Sequence, residues 1–165
     1  MNKRIRQSVI DNSNIGTVRH DNYSGAIEKY HKAFADGYYI ECISLMESLI
    51  SDRLESLANQ ISESKEYSYC TLEKLLQYID GNKQRPLIND EIHQCLEKLK
   101  SWKDDRNRAI HEMAKLSDDL DESFQMRYAK LDGIAKDGLV LFRELDNRIR
   151  KLRNKKSHTE LPLQN

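Results

Sequence analysis

Residues 39–61, Tyr-Ile-Glu-Cys-Ile-Ser-Leu-Met-Glu-Ser-Leu-Ile-Ser-Asp-Arg-Leu-Glu-Ser-Leu-Ala-Asn-Gln-Ile, decide the fold. Ile40, Ile43, Leu49 or Ile50, Leu54, Leu57 and Ile61 recur at threes and fours and draw a nearly continuous apolar stripe along one long helix. A stripe of that length must be covered by other elements, so this segment is the core helix of the domain.

Outward from it, the chain reads as further helices separated by turn residues. Upstream, a helix starting after Ser24 carries Ile27, Tyr30 and Phe34 on one face and stops at Asp36-Gly37, where glycine suits the left-handed conformation that closes a helix. Downstream, residues 62–69 have no clear period, and residues 71–79 form a short helix closed by Asp80-Gly81-Asn82. Arg85-Pro86 belongs to a loop, because proline disfavours helix in the residue before it. Asn89 suits the N-cap of a helix that turns Ile92, Leu96, Leu99 and Trp102 inward. The polar run Lys103-Asp104-Asp105 predicts either a new helix start or a kink. From about residue 120 to 152 a long helix places Phe124, Tyr128, Leu131, Ile134, Leu139, Phe142, Leu145, Ile149 and Leu152 on one side, with Gly133 and Gly138 bending it or admitting a close neighbour.

The 165 residues are sized for one domain, and 6 Gly with 2 Pro favour long helices over strands joined by tight turns. The expected fold is all-α, an antiparallel bundle of five to six helices, with residues 1–22 as a flexible arm, residues 23–153 as the helical domain and residues 154–165 as a polar tail. Lys plus Arg and Asp plus Glu both number 27, so any nucleic-acid binding must come from local clustering. Cys42, Cys70 and Cys95 are far apart and odd in number, which predicts reduced thiols of a cytoplasmic protein rather than disulfides or a thiolate zinc site. No apolar run approaches the roughly 20 residues of a membrane span, and the N-terminus lacks the apolar region of a standard secretion signal.

Arg106-Asn107-Arg108-Ala109-Ile110-His111 carries the chemistry. Arg stays protonated and grips a phosphate through parallel hydrogen bonds, while His exchanges a proton near neutral pH. Five residues advance a helix by about 500°, which leaves Arg106 and His111 about 140° apart on a straight rod. Asn107 and His111, four apart, share a side. A first turn or kink at Arg106 would let its side chain curl toward them, and free N–H groups there would favour a bound phosphate. In that geometry Arg106 holds the phosphate, His111 moves the proton and Asn107 orients either one. RNA is the substrate most easily cut this way, since its own 2′-hydroxyl attacks phosphorus without a metal. Cutting uses both a base and an acid, so a second copy of the motif from a twofold partner would complete the site. The structural alternative is an ordinary helix surface, with Asp104 paired to Arg108 and His111 half-buried.

A stripe-bearing helix after Asp36-Gly37-Tyr38-Tyr39, a helix containing Trp102, and then Arg106-Asn107-x-x-x-His111 resembles the HEPN superfamily of small all-α proteins. The resemblance spans roughly residues 24–153. It implies a helical bundle that dimerises so that two Arg-polar-His signatures meet in one cleft. It also implies a metal-independent ribonuclease of toxin, abortive-infection or other antiviral defence type, with Arg106 and His111 catalytic and Asn107 their polar neighbour. A partner antitoxin or defence protein would accompany it. The Tyr that several toxin members carry two positions after the His, and that a partner nucleotidyltransferase modifies, is Met113 here. Relatives that bind nucleotides or act as scaffolds leave a non-catalytic binding module as the alternative.

Glu41, Glu47 and Asp52 fall on the polar side of the core helix, where acids ordinarily solvate it; Glu47, flanked by the stripe, is the one placed to raise the pKa of His111. His93 and Cys95 do not share a ligand face, and no carboxylate–histidine pair is arranged as a metal site, so neither metal nor cofactor is expected. His20, His31 and His158 join no constellation. The basic run from Arg148 to Lys156 either complements a helix dipole or faces RNA.

Overall fold

The structure, a computed structural model, describes residues 15–113 and 123–159. Five helices carry these residues: α1 (Ile15–Ala35), α2 (Tyr39–Ser62), α3 (Leu72–Gly81), α4 (Asp90–Glu112) and α5 (Phe124–Thr159). No strand occurs among the described residues, so the chain is an all-α bundle.

The centre is α2, which touches α1, α3 and α5. Its buried arc is wider than the stripe predicts: Ile43, both Leu49 and Ile50, Leu54, Leu57 and Ile61 are buried, and so are Cys42, Met46, Arg53 and Ala58. Ile40, expected inside, is 39% exposed at the first turn. Gly37, with φ 79°, turns the chain between α1 and α2. Tyr38 N closes that end on Ala33 O at 2.8 Å.

Caps set the shorter elements. Thr71 accepts from Lys74 N at 3.3 Å and starts α3; Asn89 accepts from Ile92 N at 3.0 Å and starts α4. In α4, Ile92, Leu96, Leu99 and Trp102 all point inward as their spacing requires. Ser123 Oγ accepts from Met126 N at 3.2 Å at the start of α5.

Side-chain pairs give the directions. Lys98–Glu144 and Trp102–Ile134 make α4 and α5 antiparallel, and Glu73–Lys103 with Asp80–Lys100 do the same for α3 and α4. Lys29–Glu41 and Tyr23–Asp52 set α1 against α2. By contrast Met46 lies against Gly138 and Arg53 pairs with Asp146, so α2 and α5 run parallel.

Three boundaries differ from the sequence reading. First, α1 begins at Ile15, within the segment expected to be a flexible arm. Arg19 Nε reaches Asp52 at 2.9 Å and the Tyr23 ring meets Phe142 edge-on, so tertiary contacts hold a stretch that is poor in apolar residues. Residues 1–14 lie outside the described residues. Second, α5 continues to Thr159, into the segment expected to be a tail, while residues 160–165 and the expected helix start near Leu120 lie outside the described residues. Third, α4 runs unbroken through Lys103, Asp104 and Asp105. Those residues sit on its polar face, and the apolar period resumes with Ala109, Ile110 and Met113.

Candidate active site

The continuity of α4 changes the expected site. Arg106 is not at a helix start, so the backbone donors of a free N-terminus are not there to hold a phosphate. Helical rotation therefore separates Arg106 from His111: Arg106 turns toward α2, and His111 stands exposed in the last turn of α4.

Arg106 is the ordered half of the motif. Its side chain is 12% exposed and forms an ion pair with Glu47 of α2 through Nη2. Nη1 donates to Asn107 Oδ1 at 2.8 Å. Nε is buried without a hydrogen-bond partner. A guanidinium has five N–H groups, so Glu47 and Asn107 engage two and leave donor capacity on all three nitrogens. Burial pulls the Arg106 pKa down from its ordinary value, yet Arg remains a cation at any physiological pH. Glu47 is the compensating charge, because removing a cation this far from water without a partner costs several kcal/mol.

Asn107 lies four residues before His111 and therefore on the same side of α4. The structure thus joins Arg106 to Asn107 directly and leaves His111 a helical turn further on, at the open end of the element. Glu47, expected to face His111, is instead on Arg106. Glu41 and Asp52 of α2 are also paired rather than merely solvated. Glu41 lies 3.4 Å from Lys29, and Asp52 accepts from Tyr23 Oη at 2.6 Å. Asp104, which the structural alternative pairs with Arg108, lies 3.1 Å from Lys103.

No protein-family model matches the chain, and no curated protein or solved structure was found to be similar to it.

Two further features revise the sequence reading. Arg148 pairs with Glu144 and Glu91, and Arg150 pairs with Asp146 at 2.9 Å, so part of the basic run at the end of α5 is neutralised by acids of α5 and α4. The side chains of residues 153–159 lie outside the description. Second, His93 stands beside two carboxylates that its spacing to Cys95 does not reveal. Asp80, His93 and Glu97 bring one ligand atom each within 4.8 Å of one another. The signal was His93-x-x-x-Glu97, an i,i+4 pair on one helix face; weighing His93 against Cys95 hid it.

Proposed function

We propose that the chain is a metal-independent endoribonuclease of the HEPN type, working as a homodimer in the manner of a toxin or antiviral defence effector. The observation that carries the reading is the hydrogen bond from the desolvated Arg106 guanidinium to Asn107, whose position lies one helical turn before the exposed His111. Glu47 holds Arg106 on one side while its remaining N–H groups are available to two nonbridging phosphate oxygens. An RNA 2′-hydroxyl loses its proton to one His111 and its oxygen bonds to the adjacent phosphorus. The bond to the 5′-oxygen breaks, and that oxygen takes a proton from the His111 of the second copy, leaving a 2′,3′-cyclic phosphate and a 5′-hydroxyl. Arg106 stabilises the charge that grows on the phosphate oxygens between those steps.

Cleavage of a mixed RNA in excess chelator tests this. The wild-type chain is expected to cut, and Arg106→Ala and His111→Ala each to lose at least about a hundredfold in rate, the scale of a lost acid–base or charge-stabilising group. Equal activity in all three sinks the reading.

The ion pair with Glu47 favours a second reading, a non-catalytic helical interaction or RNA- or nucleotide-binding module in which Arg106 chiefly joins α4 to α2. It predicts that Arg106→Ala lowers thermal stability, that His111→Ala does not, and that bound RNA is recovered uncut.

A further inference from the structure

We propose that Asp80, His93 and Glu97 bind a divalent first-row transition ion at the contact of α3 with α4, displacing the Lys100 ammonium that now bridges the two carboxylates. His93 and Glu97 are one turn apart on the same face of α4, and Asp80 is brought to them by the last turn of α3. The three ligand atoms lie within 4.8 Å of one another. Ligands about 2.0–2.2 Å from a tetrahedral ion stand roughly 3.4 Å apart, a difference that rotation of an exposed Glu97 side chain absorbs.

Two observations make this more than a chance meeting of polar groups. Nδ1 of His93 is buried and has no hydrogen-bond partner, an unmet need on the imidazole of the cluster. A cation already occupies the carboxylate side: Lys100 Nζ lies 3.2 Å from Asp80 Oδ2 and 2.8 Å from Glu97 Oε1. A divalent ion brings one more positive charge than the ammonium and accepts the imidazole lone pair as well. One nitrogen and two carboxylate oxygens suit Zn²⁺ or Mn²⁺, with water filling the remaining positions.

The site is separate from the Arg106 cluster. Glu97 precedes Arg106 by nine residues, which is about 14 Å along the axis and about 180° around it. The ion therefore sits on the α3 side of α4 while Arg106 faces α2, and its consequence is to fasten α3 to α4.

Titration of the full chain with Zn²⁺ in a calorimeter, repeated with Co²⁺ followed by absorption, tests the proposal. One equivalent is expected to bind, to raise the unfolding temperature, and to give cobalt bands without thiolate charge transfer. His93→Ala and, as the milder surface change, Glu97→Gln should each weaken binding about tenfold or more. Lys100→Met should tighten it severalfold by removing the competing ammonium. The proposal is overturned if wild-type chain shows no saturable binding, or if His93→Ala and Glu97→Gln bind as wild type does. A thiolate band, or Lys100→Met binding no more tightly, overturns it equally.

Discussion

At the residue scale, Gly138 and Gly133 show how one sequence signal splits in the fold. Both interrupt the α5 pattern, but a Cβ on Gly138 would sit 2.8 Å from Trp102 Cζ2 and 3.2 Å from Met46 Cβ, whereas Gly133 has nothing within 4 Å. Trp102 is pinned there by its Nε1 donation to Ile134 O at 2.8 Å, so the indole has little freedom to retreat. Gly138→Ala should therefore destabilise by about 1–3 kcal/mol through overpacking. Gly133→Ala should stabilise by up to about 1 kcal/mol through helix propensity. Chemical denaturation of the two variants compares them directly, and a reversed order would contradict the contact. The thiols and two phenols give a pH signature of the same kind. Burial pushes the Cys42 and Cys95 thiols up from 9.0 to about 11 and the Tyr30 phenol to about 12, and raises Tyr23 further with help from Asp52. Each group is neutral in the fold and ionises more readily once unfolded. Their contribution is thus fully present below pH 9, the unfolded thiol value, and is lost as pH rises through about 11. Thermal unfolding followed from pH 8 to pH 11 should show a falling midpoint, and a thiol reagent at pH 8 should label the part-exposed Cys70 well before Cys42 and Cys95.

At the element scale, what could be read in advance was what repeats every three to four residues, and what could not was set by partners distant in sequence. The interior of α4 and its Asn89 cap follow from local pattern, and both stand as expected. The Arg106 half of the site was legible in residue type but not in placement: charged residues 103–105 read as a boundary, although a continuous helix turns Asp104 and Asp105 outward and Lys103 to Glu73 of α3. Glu47 as the Arg106 partner lies 59 residues away, and no spacing rule reaches that far. Arg53 is the same lesson inside α2. A charged side chain within an apolar stretch reads as solvated, yet Arg53 is 4% exposed, pairs with Asp146 of α5 and lies 4.5 Å over the Tyr23 ring of α1. It joins three helices at one point, which is why α1 extends upstream past the expected start. Truncating it leaves Asp146 with only the exposed Arg150 as a partner, and Arg53→Ala should cost about 3–5 kcal/mol. Arg19→Ala, which removes a part-exposed partner of Asp52, should cost no more than about 1 kcal/mol. Equal losses in the two variants would argue that the network shares its energy evenly.

At the scale of the whole molecule, the exposed apolar side chains are unevenly placed. Tyr38 and Ile40 at the start of α2 are 58% and 39% exposed, and Phe124 and Met126 at the start of α5 are 49% and 56% exposed. These two helix starts meet: Tyr128 Oη donates to Gly37 O at 2.8 Å, and the Tyr39 and Tyr128 rings lie 5.8 Å apart. Between them Tyr39, Phe124, Tyr128 and Asp132 line a surface groove. The antiparallel register of α4 on α5, fixed by Trp102 at Ile134, carries the last turn of α4 to the same end of the bundle. His111 and the exposed apolar side chains thus share one end, the end a second copy must cover if two imidazoles are to act on one phosphate. The proposed ribonuclease therefore makes a joint demand on assembly and activity. Light scattering across micromolar concentrations should show a dimer. Phe124→Asp, which places a charge on that end without touching Arg106, Asn107 or His111, should shift the chain toward monomer and lower RNA cleavage in proportion. Val140→Asp, at a 61% exposed position further along α5, should change neither. A Phe124→Asp chain that is monomeric yet cuts RNA at the wild-type rate would show that one copy holds a whole site, and the two-imidazole mechanism would fall while Arg106 and His111 remained testable within a single chain.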